Sequence, residues 1–193
     1  ESVALVQADL LNMPSLPTMV NETVRQFGRL DVLINNASSF YPTPVGEVGE
    51  HEWEDLMGTN LKIPLFLSQA AAPHLRRNHG CIVNIVDIHA DRPMRNYLVY
   101  SVAKGGLVAL TRSLASELGP EVRVNGVSPG VILWPEDERW TDELARQRII
   151  HTTLLKRVGE PEDIARTVRF LVIDAPYVTG QIIAVDGGRS LSL

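Results

Sequence analysis

The stretch CIVNIVDIHADRPMRNYLVYSVAKGGLVALTRSLASELGPEVRVNGV, Cys81–Val127, decides the fold. It opens on an apolar run, CIVNIV (Cys81–Val86), and crosses a polar loop into a segment of helical spacing, Tyr97–Leu118. That segment stops at Gly119–Pro120, and the chain re-enters an apolar run, VRVNGV (Val122–Val127). Runs that are apolar throughout, rather than alternating, suit parallel strands covered on both faces. Glycine followed by proline is a helix stop. Strand, helix, strand is therefore the unit, and it repeats outward. VALVQA (Val3–Ala8), DVLIN (Asp31–Asn35) and QIIAV (Gln181–Val185) read as further strands. Pro14–Phe27 reads as a helix closed by Gly28, and Glu50–Arg77 as a long helix kinked or divided at Pro64 and Pro73. TDELARQRIIHTTLL and EPEDIARTVRFLV are two more, with Thr141 as N-cap of the first and Pro161 near the start of the second. The pattern predicts an α/β protein with a doubly wound, Rossmann-like parallel sheet, in one domain over residues 1–193.

Composition narrows the function. Of 193 residues, 45% are apolar and 21% charged, with a net charge of −5. No basic run points to nucleic acid, and no apolar run approaches a membrane span. The one cysteine, Cys81, lies in a strand-like run and reads as a buried thiol, so a reducing, cytoplasmic setting is expected. No metal-ligand spacing stands out.

In a doubly wound sheet, ligands bind beyond the carboxyl ends of the strands. The polar clusters fall there: NNASS (Asn35–Ser39), Asp87, SPG (Ser128–Gly130) and DGG (Asp186–Gly188). Tyr100 and Lys104 stand four residues apart, on one face of a helix. A phenol with a pKa of about 10 is a poor proton donor at neutral pH, and a nearby ammonium is expected to bring it down. The pair suits proton transfer that accompanies hydride transfer. Taken alone, Tyr-x-x-x-Lys is equally a half-buried tyrosine beside a solvated lysine.

The order of the neighbours is more specific. "ADL" (Ala8–Leu10), "NNAS", Asn60, "VYSVAK" (Val99–Lys104), "RVNGVSPG" (Arg123–Gly130) and "TGQIIAVDGG" (Thr179–Gly188) together resemble the short-chain dehydrogenase/reductase family along the whole chain. The resemblance implies a nicotinamide cofactor. Asp9 with Leu10 would lie by the adenine, Asn36, Ala37 and Ser38 by the ribose and nicotinamide side, and Pro129 and Gly130 along the amide. Lys104 would bond the ribose as well as tune Tyr100, and Asn60 would hold a water relaying protons to Lys104. A homotetramer joined through the long helices is also implied. The family opens on a Gly-rich turn, G-x-G-x-x-G, which is absent here, so the domain is expected to be N-terminally incomplete and to lack its first βαβ unit. After Pro129–Gly130, where the family often places a hydroxyl residue, stand Val131, Ile132 and Leu133.

Asp87 occupies the position of the family's usual serine. An ionised carboxylate only accepts hydrogen bonds and opposes charge developing on a substrate oxygen, so it suits a substrate offering N–H groups. Equally, Asp87 can simply cap the turn that follows. Phe40, in NNASSFYPTP (Asn35–Pro44), could stack on a planar ligand or be lid packing. Together the two features resemble the pteridine reductases within the family. That resemblance implies NADPH and a pterin or folate substrate, held by Ser38, Phe40, Asp87 and Tyr100. A ring C=N would be reduced with protonation through Tyr100 and Asp87, making Asp87, Tyr100, Lys104 and Asn60 the catalytic set. Two alternatives stay open: a general carbonyl or 3-ketoacyl reductase, and a non-catalytic binding or assembly homologue. His89, two residues past Asp87, either faces the pocket or is a loop residue without catalytic duty; WPEDERW (Trp134–Trp140) stands where the family places a substrate lid, its acidic run reads as solvated, and neither tryptophan is assigned a role.

Overall fold

The computed structural model describes residues 3–135 and 140–192. Four strands form one parallel sheet in the order β1 (Val32–Asn35), β2 (Cys81–Ile85), β3 (Arg123–Pro129) and β4 (Ile182–Val185). Each pairs in register with the next, Ile82 opposite Val124 and Val127 opposite Ile183. Successive strands all run the same way because helices carry the chain back across the sheet.

The pleat sorts the apolar residues to two faces. Leu33, Ile82 and Val124 pack with α1 (Ser15–Phe27) and α3 (Ile63–Arg77), around the fully buried Leu16, Ala71 and Leu75. Val83, Ile85 and Val127 turn the other way, onto α6 (Pro161–Arg169) and the π-helical turn Phe170–Asp174, whose Leu171 is fully buried. Helices therefore cover both faces of the central strands β2 and β3, as their continuous apolar runs require, while Ile34 in the edge strand β1 stays 46% exposed. Across the middle runs a buried polar chain: Asn35 Nδ2 donates to Asn84 Oδ1 (2.8 Å), and Asn84 Nδ2 to Thr111 Oγ1 on α4 (Leu98–Leu118; 2.9 Å). It ties β1 and β2 to the helix that carries Tyr100 and Lys104.

Three expectations are corrected. VALVQA is not a strand: residues 3–8 are irregular, with Leu5 95% exposed. Its β-propensity has no neighbouring strand to satisfy its backbone, and pairing, not propensity, makes a strand. The Glu50–Arg77 helix is divided, but not at a proline. α2 (Glu50–Met57) passes through a π-helical turn, Gly58–Lys62, into α3, where Pro64 sits in the first turn and Pro73 is accommodated inside the helix. The cap of α5 (Glu143–Thr152) is Asp142, not Thr141: its carboxylate accepts from Leu144 N at 2.9 Å. Gly28 does close α1 in the left-handed conformation, φ 77°, its N–H bonding Val24 O. Among the described residues, no helix is long and apolar enough to cross a membrane, and no cluster of side chains has the makeup of a metal site.

Candidate active site

Asp87 stands where β2 ends and uses both carboxylate oxygens. Oδ1 accepts from His89 N (2.8 Å), capping the short 3-10 turn Ile88–Ala90, and Oδ2 accepts from the Tyr100 hydroxyl (2.7 Å). The cap read from the sequence is present, and the same side chain holds the Tyr100 hydroxyl. Because the turn fixes one oxygen, the other is aimed at the phenol.

Tyr100 is 4% exposed and Lys104 3%. The ammonium lies over the phenol ring, 5.6 Å from its centroid, and donates to the Ile85 carbonyl (3.0 Å) at the end of β2. The expected effect on the phenol is reversed. Burial, then the charge and hydrogen bond of Asp87, push the Tyr100 hydroxyl far above its ordinary range, with only the Ser38 hydroxyl opposing. Lys104 stands over the ring face rather than at the oxygen, so it does not offset a carboxylate in direct contact. Tyr100 is thereby held as a phenol, a proton donor. Burial also pulls Lys104 down to about 8, against the attraction of Asp87.

The loop after β1 is pinned to the α2–α3 arm. Ser38 Oγ donates to Asn60 Oδ1 (2.6 Å), while Asn60 Nδ2 donates to the carbonyls of Ser39 (2.9 Å) and Leu56 (3.0 Å). Tyr41 donates to Asp55 (2.9 Å), and burial with that carboxylate pushes its hydroxyl up to about 12. Asn60 sits in the π-helical turn and is 1% exposed. Its amide is engaged with the loop, which makes it the fastener of Ser38 and Ser39. Between these anchors Phe40 stacks on Tyr97 (centroids 4.6 Å, 19° apart) and meets Tyr100 edge-on (4.8 Å, 77°). One ring face is thus spent on lid packing, and the ring still borders the cavity.

That cavity, of about 920 Å³, brings Asn36, Phe40, Asp87, Tyr100, Pro129 and Gly130 together. Gly130 has no room for a side chain, since a Cβ would stand 2.8 Å from the Cα of Asp186. Asp9 and Leu10 are not brought to the cavity: Asp9 forms a turn with Leu11 N (3.0 Å), and Leu10 packs against the α1–α3 core. Val131, Ile132 and Leu133 line the cavity with apolar surface. His89 borders it too, as its place two residues past Asp87 allows, with Nδ1 bonded to the Arg92 carbonyl (2.8 Å), and so do Trp134 and Trp140, to which the sequence assigns no role. Residues 136–139, the acidic part of WPEDERW, lie outside the described residues.

The nicotinamide group implied by the resemblance can be tested against Lys104. A buried ammonium has three donors, and among the described residues only the Ile85 carbonyl accepts from it. Such a group calls for further acceptors, and a ribose diol supplies them. Asn36, Tyr100, Lys104, Pro129 and Gly130 fit the nicotinamide half of a dinucleotide.

A hydrogen-bonded phenol and a buried ammonium at the carboxyl end of a parallel sheet define an oxidoreductase of the dinucleotide-binding α/β class. The chain belongs to the short-chain dehydrogenase/reductase family. Residues 1–190 match the family described as Enoyl-(Acyl carrier protein) reductase. The chain is 38% identical over 186 residues to the 3-oxoacyl-[acyl-carrier-protein] reductase FabG of Staphylococcus aureus, covering 95% of this chain and 75% of that protein. It is 39% identical over 189 residues to the (2S)-[(R)-hydroxy(phenyl)methyl]succinyl-CoA dehydrogenase subunit BbsD of Thauera aromatica, again covering 95% and 75%. A crystal structure described as a short-chain alcohol dehydrogenase from Sinorhizobium meliloti superposes with a TM-score of 0.93 at 31% identity, over 99% of this chain and 77% of that one.

Proposed function

We propose that the protein is an NADPH-dependent reductase of pterins, acting on dihydropterins and dihydrofolate. The observation that carries this is the 2.7 Å hydrogen bond from Tyr100 to Asp87. When bound, the nicotinamide supplies the hydride. The chain's own residues supply the proton and the orientation. Tyr100, held protonated, is the donor to a ring nitrogen next to the reduced carbon. The Asp87 carboxylate holds the hydroxyl in place, accepts from substrate N–H groups and gathers the proton that replenishes Tyr100. Lys104 stabilises the negative charge that Tyr100 acquires as it gives up its proton. Ser38 borders the same hydroxyl, and Phe40, where it lines the cavity, offers a flat ring an apolar wall.

The names of the relatives favour a second reading, reduction of a 3-ketoacyl thioester. The large apolar cavity accommodates an acyl chain as well as a ring. Here Asp87 is unfavourable, because its charge stands beside the oxygen that becomes an alkoxide. The test is NADPH oxidation by the full chain against dihydrobiopterin, dihydrofolate and an acetoacetyl thioester. Turnover of the pterins above the thioester is expected. Turnover of the thioester alone replaces the first reading with the second.

A further inference from the structure

A second cavity, of about 510 Å³, adjoins the reaction cavity and has no part in the chemistry above. His89, Met94, Val131 and Trp140 border both, so one layer of side chains separates them. Among the described residues its lining carries three guanidinium groups, Arg92, Arg95 and Arg189, against one carboxylate, Asp91.

Arg189 is the unusual member. The positive φ of Gly188, 80°, turns the chain so that the side chain tucks inward, leaving it 9% exposed. Nη1 donates to the Ile149 carbonyl (3.2 Å) and Thr152 Oγ1 (3.0 Å). Nε is buried and, among the described residues, has no hydrogen-bond partner. Among the described residues no carboxylate comes within ion-pair distance of it. Asp186, whose charge acts on it, is occupied in accepting from Gly188 N and Ser190 N. A buried cation that keeps a free donor and lacks a counter-ion is costly unless an anion completes it. The planar fork of arginine suits a carboxylate or phosphate.

We propose that this cavity is an anion subsite: Arg189, with Arg92 and Arg95 at its rim, takes the carboxylate or phosphate at the far end of a substrate whose reacting ring lies against Asp87 and Tyr100. The identity of that ring rests on the pterin reading; the anion site does not. A pterin extended by a glutamate or phosphate group is the substrate class this selects over one with a neutral side chain.

The test is calorimetric titration of the full chain, without cofactor, using p-aminobenzoyl-glutamate, inorganic phosphate and neutral p-aminobenzamide. Saturable binding of at least one anion is expected, with none of the amide; which anion binds identifies the tail. Arg189→Gln is expected to weaken that binding by about ten-fold or more. The rim double variant Arg92→Gln/Arg95→Gln should weaken it less and flatten its salt dependence. In turnover, Arg189→Gln should raise the KM for dihydrofolate and leave that for dihydrobiopterin unchanged. If Arg189→Gln does not fold, Arg189→Lys and the rim variant decide. Binding of neither anion, equal binding of the amide, or unchanged affinity in the folded variants overturns the proposal. Anion binding without pterin turnover would instead refute the pterin reading and leave the subsite standing.

Discussion

Replacing Asp87 by serine should move the two candidate activities in opposite directions. The carboxylate lies 2.7 Å from the Tyr100 hydroxyl. A ketone oxygen accepting from the same hydroxyl lies about 5 Å from the carboxylate by ordinary hydrogen-bond geometry. At that separation, with an effective dielectric of about 20, negative charge growing on the ketone oxygen is opposed by about 3 kcal/mol, or about two orders of magnitude in rate. Asp87→Ser removes that opposition and puts a donor in its place, so kcat for a ketoacyl thioester should rise by up to about a hundred-fold. Pterin turnover loses its proton supply, and kcat should fall by about two to four orders of magnitude, the usual reach of general acid catalysis. The fold should survive, since serine can take over the cap on His89 N. Asp87→Asn keeps the shape without the charge and should also lose pterin turnover. The assay is kcat and KM for both substrates with all three proteins. A serine variant that keeps pterin turnover within about three-fold, or gains no ketone reduction, would refute the role given to the carboxylate.

Four further outcomes follow from the same geometry. Lys104 titrates at about 8 when folded against its ordinary 10.5, so between those values the unfolded chain binds more protons and stability should rise with pH; urea midpoints at both ends of the window should differ more for the wild type than for Lys104→Met. As the ammonium discharges, kcat should decline above about pH 8. Asn60→Ala unfastens Ser38, Ser39 and Leu56 and leaves buried polar groups unpaired, which should cost about 1–3 kcal/mol and lower Tm by several degrees in calorimetry. Gly130→Ala places a Cβ 2.8 Å from backbone at Asp186, so about 1–3 kcal/mol of stability should be lost, together with dinucleotide affinity measured by fluorescence titration.

Local pattern made most of the sheet legible. DVLIN, CIVNIV, VRVNGV and QIIAV each carry a strand within a residue or two of the expected limits, because the strands of a parallel sheet flanked by helices are apolar along most of their length. Gly28 and Gly119–Pro120 stop their helices for reasons local to the backbone. The i, i+4 spacing of Tyr100 and Lys104 likewise placed both on one helical face before any packing was known. VALVQA has the same local character and is no strand, since hydrogen bonding to a neighbour is a property of the assembled sheet.

What the sequence determined, then, is the periodicity, the stops and the inventory of groups at the strand ends. Tertiary structure decided what those groups do to one another. The residue string pairs Lys104 with Tyr100 and suggests a lowered phenol; burial and a carboxylate brought from thirteen residues away raise it instead. Asn60 carries no mark of fastening the loop after β1, and a glycine-glycine-arginine turn carries no mark of a buried guanidinium beside the candidate site. Desolvation and through-space charge depend on which surfaces the fold closes together, and no stretch of chain contains that information by itself.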